Sequence, residues 1–171
     1  MGRSIRPSHW SKKTWLVAIV CVVAIAIAAI VFASNRLTAR PSPELINAQG
    51  KTDIQIYYPS NLPEGFSYMN QSVKASTTAI IYTLTYDNDK RLSVSCTAKP
   101  SNAAISKFHS QTLTDKTKIP SPEGDLVVGT AYSQTVASLV TDEAWVIMNT
   151  TAAIDEESLT RLASSFTPIP N

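Results

Sequence analysis

Residues Trp15 to Ala33 read WLVAIVCVVAIAIAAIVFA, nineteen positions without a charge, a proline or a glycine. As a helix rising ~1.5 Å per residue, the run is ~28 Å long, close to the ~30 Å hydrocarbon thickness of a bilayer. Its Val, Ile, Leu and Phe residues contribute on the order of 5 kcal/mol toward insertion, with no charge to oppose them. A helix is how a single segment satisfies its backbone in lipid, so the run predicts a membrane-spanning helix with ends at Trp15 and Ala33.

Charge orients that helix. Arg3, Arg6, Lys12 and Lys13 precede the run, only Arg36 and Arg40 follow it closely, and no acid occurs in the first forty residues. The excess of cations predicts that residues 1–14 are a cytoplasmic basic tail and that everything after the span is extracytoplasmic. The expected localisation is therefore the cell membrane, as a single-pass protein. From residue 41 onward, nine Lys and Arg face thirteen Asp and Glu, a net of −4. The overall +2 and the pI near 8.5 thus describe neither half. Without a basic stripe interleaved with aromatics, nucleic acid is not an expected partner. The alternative for the apolar run is a secretion signal released after Ala33, because Val31-Phe32-Ala33 carries residues that suit a signal peptidase.

Ser34 to Gly50 is polar, with Pro41 and Pro43 close together and no sustained period. It reads as a linker over residues 34–50, leaving residues 51–171 as an extracytoplasmic α+β domain. From Thr52 the period is mostly 2. Ile54, Ile56 and Tyr58 suggest a first strand, Leu62-Pro63-Glu64-Gly65 a turn, and Phe66 to Lys74 a second extended stretch. Ile80, Tyr82, Leu84 and Tyr86 alternate clearly, Asp87-Asn88-Asp89-Lys90 has turn chemistry, and Arg91 to Ala98 returns, which predicts a hairpin. Asn102 to Phe108 suggests a helical turn or two, and Ser121-Pro122-Glu123-Gly124 another turn. Asp125 to Tyr132, Gln134 to Val140 and Trp145 to Asn149 read as an antiparallel meander. A last helix starts at the N-cap Asp155, with Glu156 and Glu157 at its positive end and Leu159, Leu162, Ala163 and Phe166 as its apolar face. The expected architecture is a curved antiparallel sheet of six or seven strands with this C-terminal helix packed on it.

Little chemistry is written in the chain. Cys21 lies in the apolar run, so Cys96 has no internal disulfide partner, and its alternation with Leu92, Val94 and Ala98 marks it as a buried small hydrophobe. The histidines, His9 and His109, form no zinc cluster with the cysteines. His109 precedes Ser110, but adjacent residues rarely face each other and no Gly-x-Ser-x-Gly elbow accompanies them. Asp87, Asn88 and Asp89 lack the glycine and distal glutamate of a calcium loop. Tyr82 and Trp145 read as core aromatics. No catalytic residue, metal ligand or cofactor is expected.

The Leu62-Pro63-Glu64-Gly65-Phe66 turn, the Tyr82 to Tyr86 strand, Trp145 and the Glu157 to Phe166 segment come in an order that resembles a bacterial extracytoplasmic domain of unknown function. That domain follows a single membrane helix, sometimes in anti-sigma-factor-like envelope regulators, and is distantly similar to the fold of periplasmic lipoprotein carriers. The resemblance covers residues 52 to 167. It departs from those regulators in the cytoplasmic tail, which is too short for a sigma-factor-binding domain and carries His9 but no cysteine. The expected function is a non-enzymatic, membrane-anchored binding or regulatory domain for a protein or envelope component. The alternative is a carrier or sensor of lipid or another hydrophobic ligand.

Overall fold

The computed structural model describes residues 40–87 and 89–170. The tail over residues 1–14, the apolar run Trp15–Ala33 and the start of the linker lie outside the described residues. Among the described residues no helix is long and apolar enough to cross a membrane.

Ser42 opens the first element. Its hydroxyl accepts from Leu45 N–H at 3.3 Å and Pro43 takes the first helical position, both standard ways to start a helix. The resulting α1 (Pro43–Gln49) buries Leu45 and Ala48. Gln49 then ties the chain that follows, its amide donating to Ile54 O at 3.3 Å while its oxygen accepts from Ile56 N–H at 2.7 Å. The second half of the stretch read as a linker is therefore part of the domain. Its apolar spacing is too short to reveal a period, because only Leu45 and Ala48 face inward.

Among the described residues ten strands follow: β1 (Tyr57–Pro59), β2 (Ser67–Tyr68), β3 (Lys74–Ala75), β4 (Ala79–Tyr86), β5 (Lys90–Ala98), β6 (Thr114–Ser121), β7 (Gly124–Ala131), β8 (Gln134–Val140), β9 (Ala144–Thr150) and β10 (Phe166–Pro168). Between them lie α2 (Asn102–Gln111) and α3 (Glu156–Ser164). The main sheet is antiparallel with the order β2-β4-β5-β9-β8-β7-β6, and β3 also pairs with β4. β1 and β10 form a separate antiparallel pair.

Register explains the core. Ile80, Cys96, Val146, Leu139, Leu126 and Ile119 stand opposite one another across six strands, giving an unbroken apolar row on one face. Tyr82, Val94, Met148, Ala137 and Val128 form the next row. Leu159, Leu162 and Ala163 of α3 join these rows in a single cluster with Leu45, Ile56 and Phe166. Tyr82 and Phe166 are only 1% exposed, and Leu45, Ile56, Leu139, Met148 and Leu162 are fully buried, so the sheet-to-helix layer is filled.

The α+β class, the antiparallel sheet and the C-terminal helix are as the sequence predicts. Asp155 caps α3, its carboxylate accepting from Ser158 N–H at 2.7 Å, and that bond draws its pKa below the ordinary carboxylate value. Several elements differ. The first strand is Tyr57–Pro59, and Tyr57 rather than Tyr58 is buried, because this strand pairs with β10 and not with the main sheet. Phe166 is buried but belongs to β10, since α3 ends at Ser164 and is capped by Ser165. The second extended stretch breaks into β2 and β3 around Gln71, which adopts a positive φ of 56°. Ala98 is exposed where β5 leaves the sheet, unlike its same-face neighbours Leu92, Val94 and Cys96. β6 was not foreseen, and α2 runs three residues beyond Phe108.

Candidate functional site

The opposite face of the sheet is only partly covered, and what covers it is α2. Ser101 caps this helix by accepting from Ala104 N–H at 3.3 Å. Ile105 is buried against the sheet, and Phe108 meets Trp145 edge-on, with ring centroids 5.1 Å apart at 82°. Leu113, Ala131 and Val136 complete a small second core with Phe108, Val127 and Ile147.

Ser138 organises this layer. It is fully buried, and its hydroxyl oxygen accepts from Trp145 Nε1–H at 2.8 Å. The same oxygen lies 2.8 Å from His109 Nε2. Indole can only donate, so one acceptor site of Ser138 is committed and the hydroxyl proton is free to go to a neutral imidazole. Burial lowers the His109 pKa below its ordinary value, the nearby Lys116 charge lowers it further, and Asp125 opposes both. Neutral His109 is therefore the form this arrangement favours.

His109 does not meet Ser110, whose hydroxyl donates to Lys107 O at 3.3 Å. It meets Ser138 instead, twenty-nine residues away. The pair has the residue types of a nucleophile and its base, yet the Ser138 hydroxyl is sealed from solvent and already accepts from Trp145. A substrate could not reach it without opening the layer, and the contact serves to dock α2 on the sheet.

Beside α2 the uncovered part of this face becomes a groove of about 830 Å³. Its helical wall carries Asn102, Ser106 and His109, and its sheet side carries Lys116, Lys118 and Asp125. Lys99 and Asp142 close one end. Lys118 and Asp125 pair at 2.8 Å, while Lys116 Nζ donates to His109 O at 2.9 Å. β6 places both lysines because it is an edge strand with a register shift between Thr114 and Thr117, and charge and irregularity of this kind suit an edge. Pro120 is tolerated there for the same reason.

The other sequence candidates fall elsewhere. Tyr82 is core, its hydroxyl donating to Tyr57 O at 2.9 Å. Cys96 is a buried free thiol, also directed at Tyr57 O, and burial pushes its pKa up to about 12 despite that bond. Asp87 pairs with Lys90 at 3.4 Å on the exposed β4–β5 hairpin. Among the described residues no group of three His, Cys, Asp or Glu side chains is placed to hold a metal ion. Sequence reasoning missed Ser138 and the groove. The signal for Ser138 is the nearly continuous apolar stretch Val136 to Val140, which marks a strand buried on both faces and so implies a covering element.

Comparison with known proteins returns no matching family model, curated protein or solved structure.

Proposed function

We propose that this chain is a single-pass, membrane-anchored extracytoplasmic binding domain without catalytic activity, and that the groove beside α2 is its binding surface. The observation that carries the reading is the contrast between the two faces of the sheet. One side is filled by side chains, whereas the other holds an open groove of mixed polar and apolar lining, of a size that ligand sites commonly have. A carrier of lipid needs an enclosed apolar chamber between sheet and helix, and Tyr82, Met148, Leu162 and Phe166 occupy that space. The sealed Ser138 hydroxyl supports a non-catalytic role for the His109 contact. The charge-free run Trp15–Ala33 and its basic leading flank support the anchor and its orientation. The resemblance to domains that follow a single membrane helix points the same way.

The test uses the full chain in its host membrane. The expected result is retention through an alkaline wash, with the C-terminal part digested by protease added outside intact cells. Native mass spectrometry of the detergent-extracted chain should then show no stoichiometric lipid. Release by the wash would overturn the anchor, and a retained stoichiometric lipid would replace surface binding with carriage.

A further inference from the structure

We infer that the groove beside α2 is a site for a phosphate-type oxyanion, carried by a soluble molecule or by a lipid headgroup; this rests on reading the groove as the binding surface. Residues 41 to 171 carry a net charge of −4, yet three of their nine cations, Lys99, Lys116 and Lys118, line this one groove. Gathering like charges costs free energy in an acidic domain that has partners to offer elsewhere, unless an anion enters between them.

The partners inside the groove do not neutralise it. Asp125 is engaged by Lys118 at 2.8 Å, and Asp142 is the other carboxylate of the lining. Among the described residues Lys99 and Lys116 make no ion pair. Lys116 is instead held by a backbone carbonyl, His109 O, which fixes its ammonium at the groove without cancelling its charge. Asn102 and Ser106 add neutral donors along the helical wall. The first turn of α2 contains no acid, so the positive end of its dipole adds to the same field.

Three lysines beside the Ser106 hydroxyl and the Asn102 amide match a compact, multiply charged oxyanion better than an extended apolar ligand. Lysine engages phosphate as a point charge, so the site requires charge and donors but no planar fork.

The experiment is calorimetric titration of the full chain, in neutral detergent at constant ionic strength, with inorganic pyrophosphate. Saturable one-site binding is expected, and Lys99→Gln with Lys116→Gln should weaken it about tenfold or more. Both side chains are exposed, so the double variant should keep the parent unfolding midpoint, and Lys51→Gln with Lys74→Gln should leave the affinity unchanged. Repeating the titration in nanodiscs separates the sources. Competition by phosphatidylglycerol but not phosphatidylcholine assigns a headgroup, and equal binding in both assigns a soluble phosphate compound. The absence of saturable heat, or an affinity unchanged in Lys99→Gln/Lys116→Gln, overturns the assignment. A chain that stays in the washed membrane but fails this titration loses only the oxyanion, whereas a chain released by the wash loses the anchor and keeps the site.

Discussion

Replacing Leu45 with alanine tests whether the folded domain begins at α1 or after Gly50. Leu45 is fully buried within the main core cluster, in a helix of only seven residues. The substitution removes about three methylene equivalents, which at ~0.8 kcal/mol each accounts for ~2.4 kcal/mol of lost transfer energy. A residual cavity adds to this, and buried Leu→Ala changes run to about 5 kcal/mol where the surroundings cannot collapse. Here α1 is short and held by a cap at one end and Gln49 at the other, so it can settle partly into the space. The expected loss is therefore about 3 kcal/mol, or roughly 10 °C in the melting midpoint of a domain this size.

The neighbouring residue supplies the control. Ile46 is 52% exposed, so Ile46→Ala should change stability by less than about 0.5 kcal/mol although it deletes as many carbons. Thermal unfolding of both variants in the same neutral detergent, followed by the β-sheet circular dichroism signal, gives the comparison directly. Equal midpoints for Leu45→Ala and Ile46→Ala would refute the reasoning and return Pro43–Gln49 to the linker.

Two further perturbations address the groove wall and the contact behind it. Gly124 begins β7 at φ 150°, and a Cβ there would stand 2.0 Å from Val140 O, so Gly124→Ala should destabilise the domain by about 3 kcal/mol or more; a denaturant midpoint within error of the parent would refute this. His109 has a folded-state pKa below its unfolded value, so between the two the unfolded chain binds more protons. Its contribution to stability is therefore complete above about pH 6.5 and is lost as pH falls through the folded value. Melting midpoints measured from pH 7.5 down to 5.5 should fall less steeply for His109→Gln than for the parent, and parallel profiles would sink the assignment.

How much of this was legible follows from what each strand faces. β4 and β5 present one face to the core and the other largely to solvent, so Ile80, Tyr82, Leu84 and Tyr86 alternate cleanly and the hairpin could be read from period alone. α3 was legible from Asp155 and the spacing of Leu159, Leu162 and Ala163, because cap and apolar stripe agree. β6 gave no such signal. It is an edge strand in which Ile119 alone is buried, and its Asp, Lys and Pro content matches the chemistry of loops. α1 was hidden by brevity rather than by composition, since seven residues are less than two full turns of apolar period.

The groove was illegible for a different reason. Its residues come from α2, β6, β7 and the ends of β5 and β8, and no two of its lysines are adjacent in sequence. Lys116 and Lys118 could be seen as a pair two apart on a possible strand, but β6 itself was not foreseen. Lys99 joins them only because β5 and β8 end on the same side of the sheet as the β6–β7 turn. Sheet order makes that neighbourhood, and local periodicity does not encode sheet order. Ser138 lies between these cases. A serine in the stretch Val136-Ala137-Ser138-Leu139-Val140 implies a partner on the outer face, yet only the path of α2 over β8 and β9 shows that His109 and Trp145 supply it. Local pattern thus carries the core, and the candidate site, assembled across the sheet, becomes visible only once strand order and register are known.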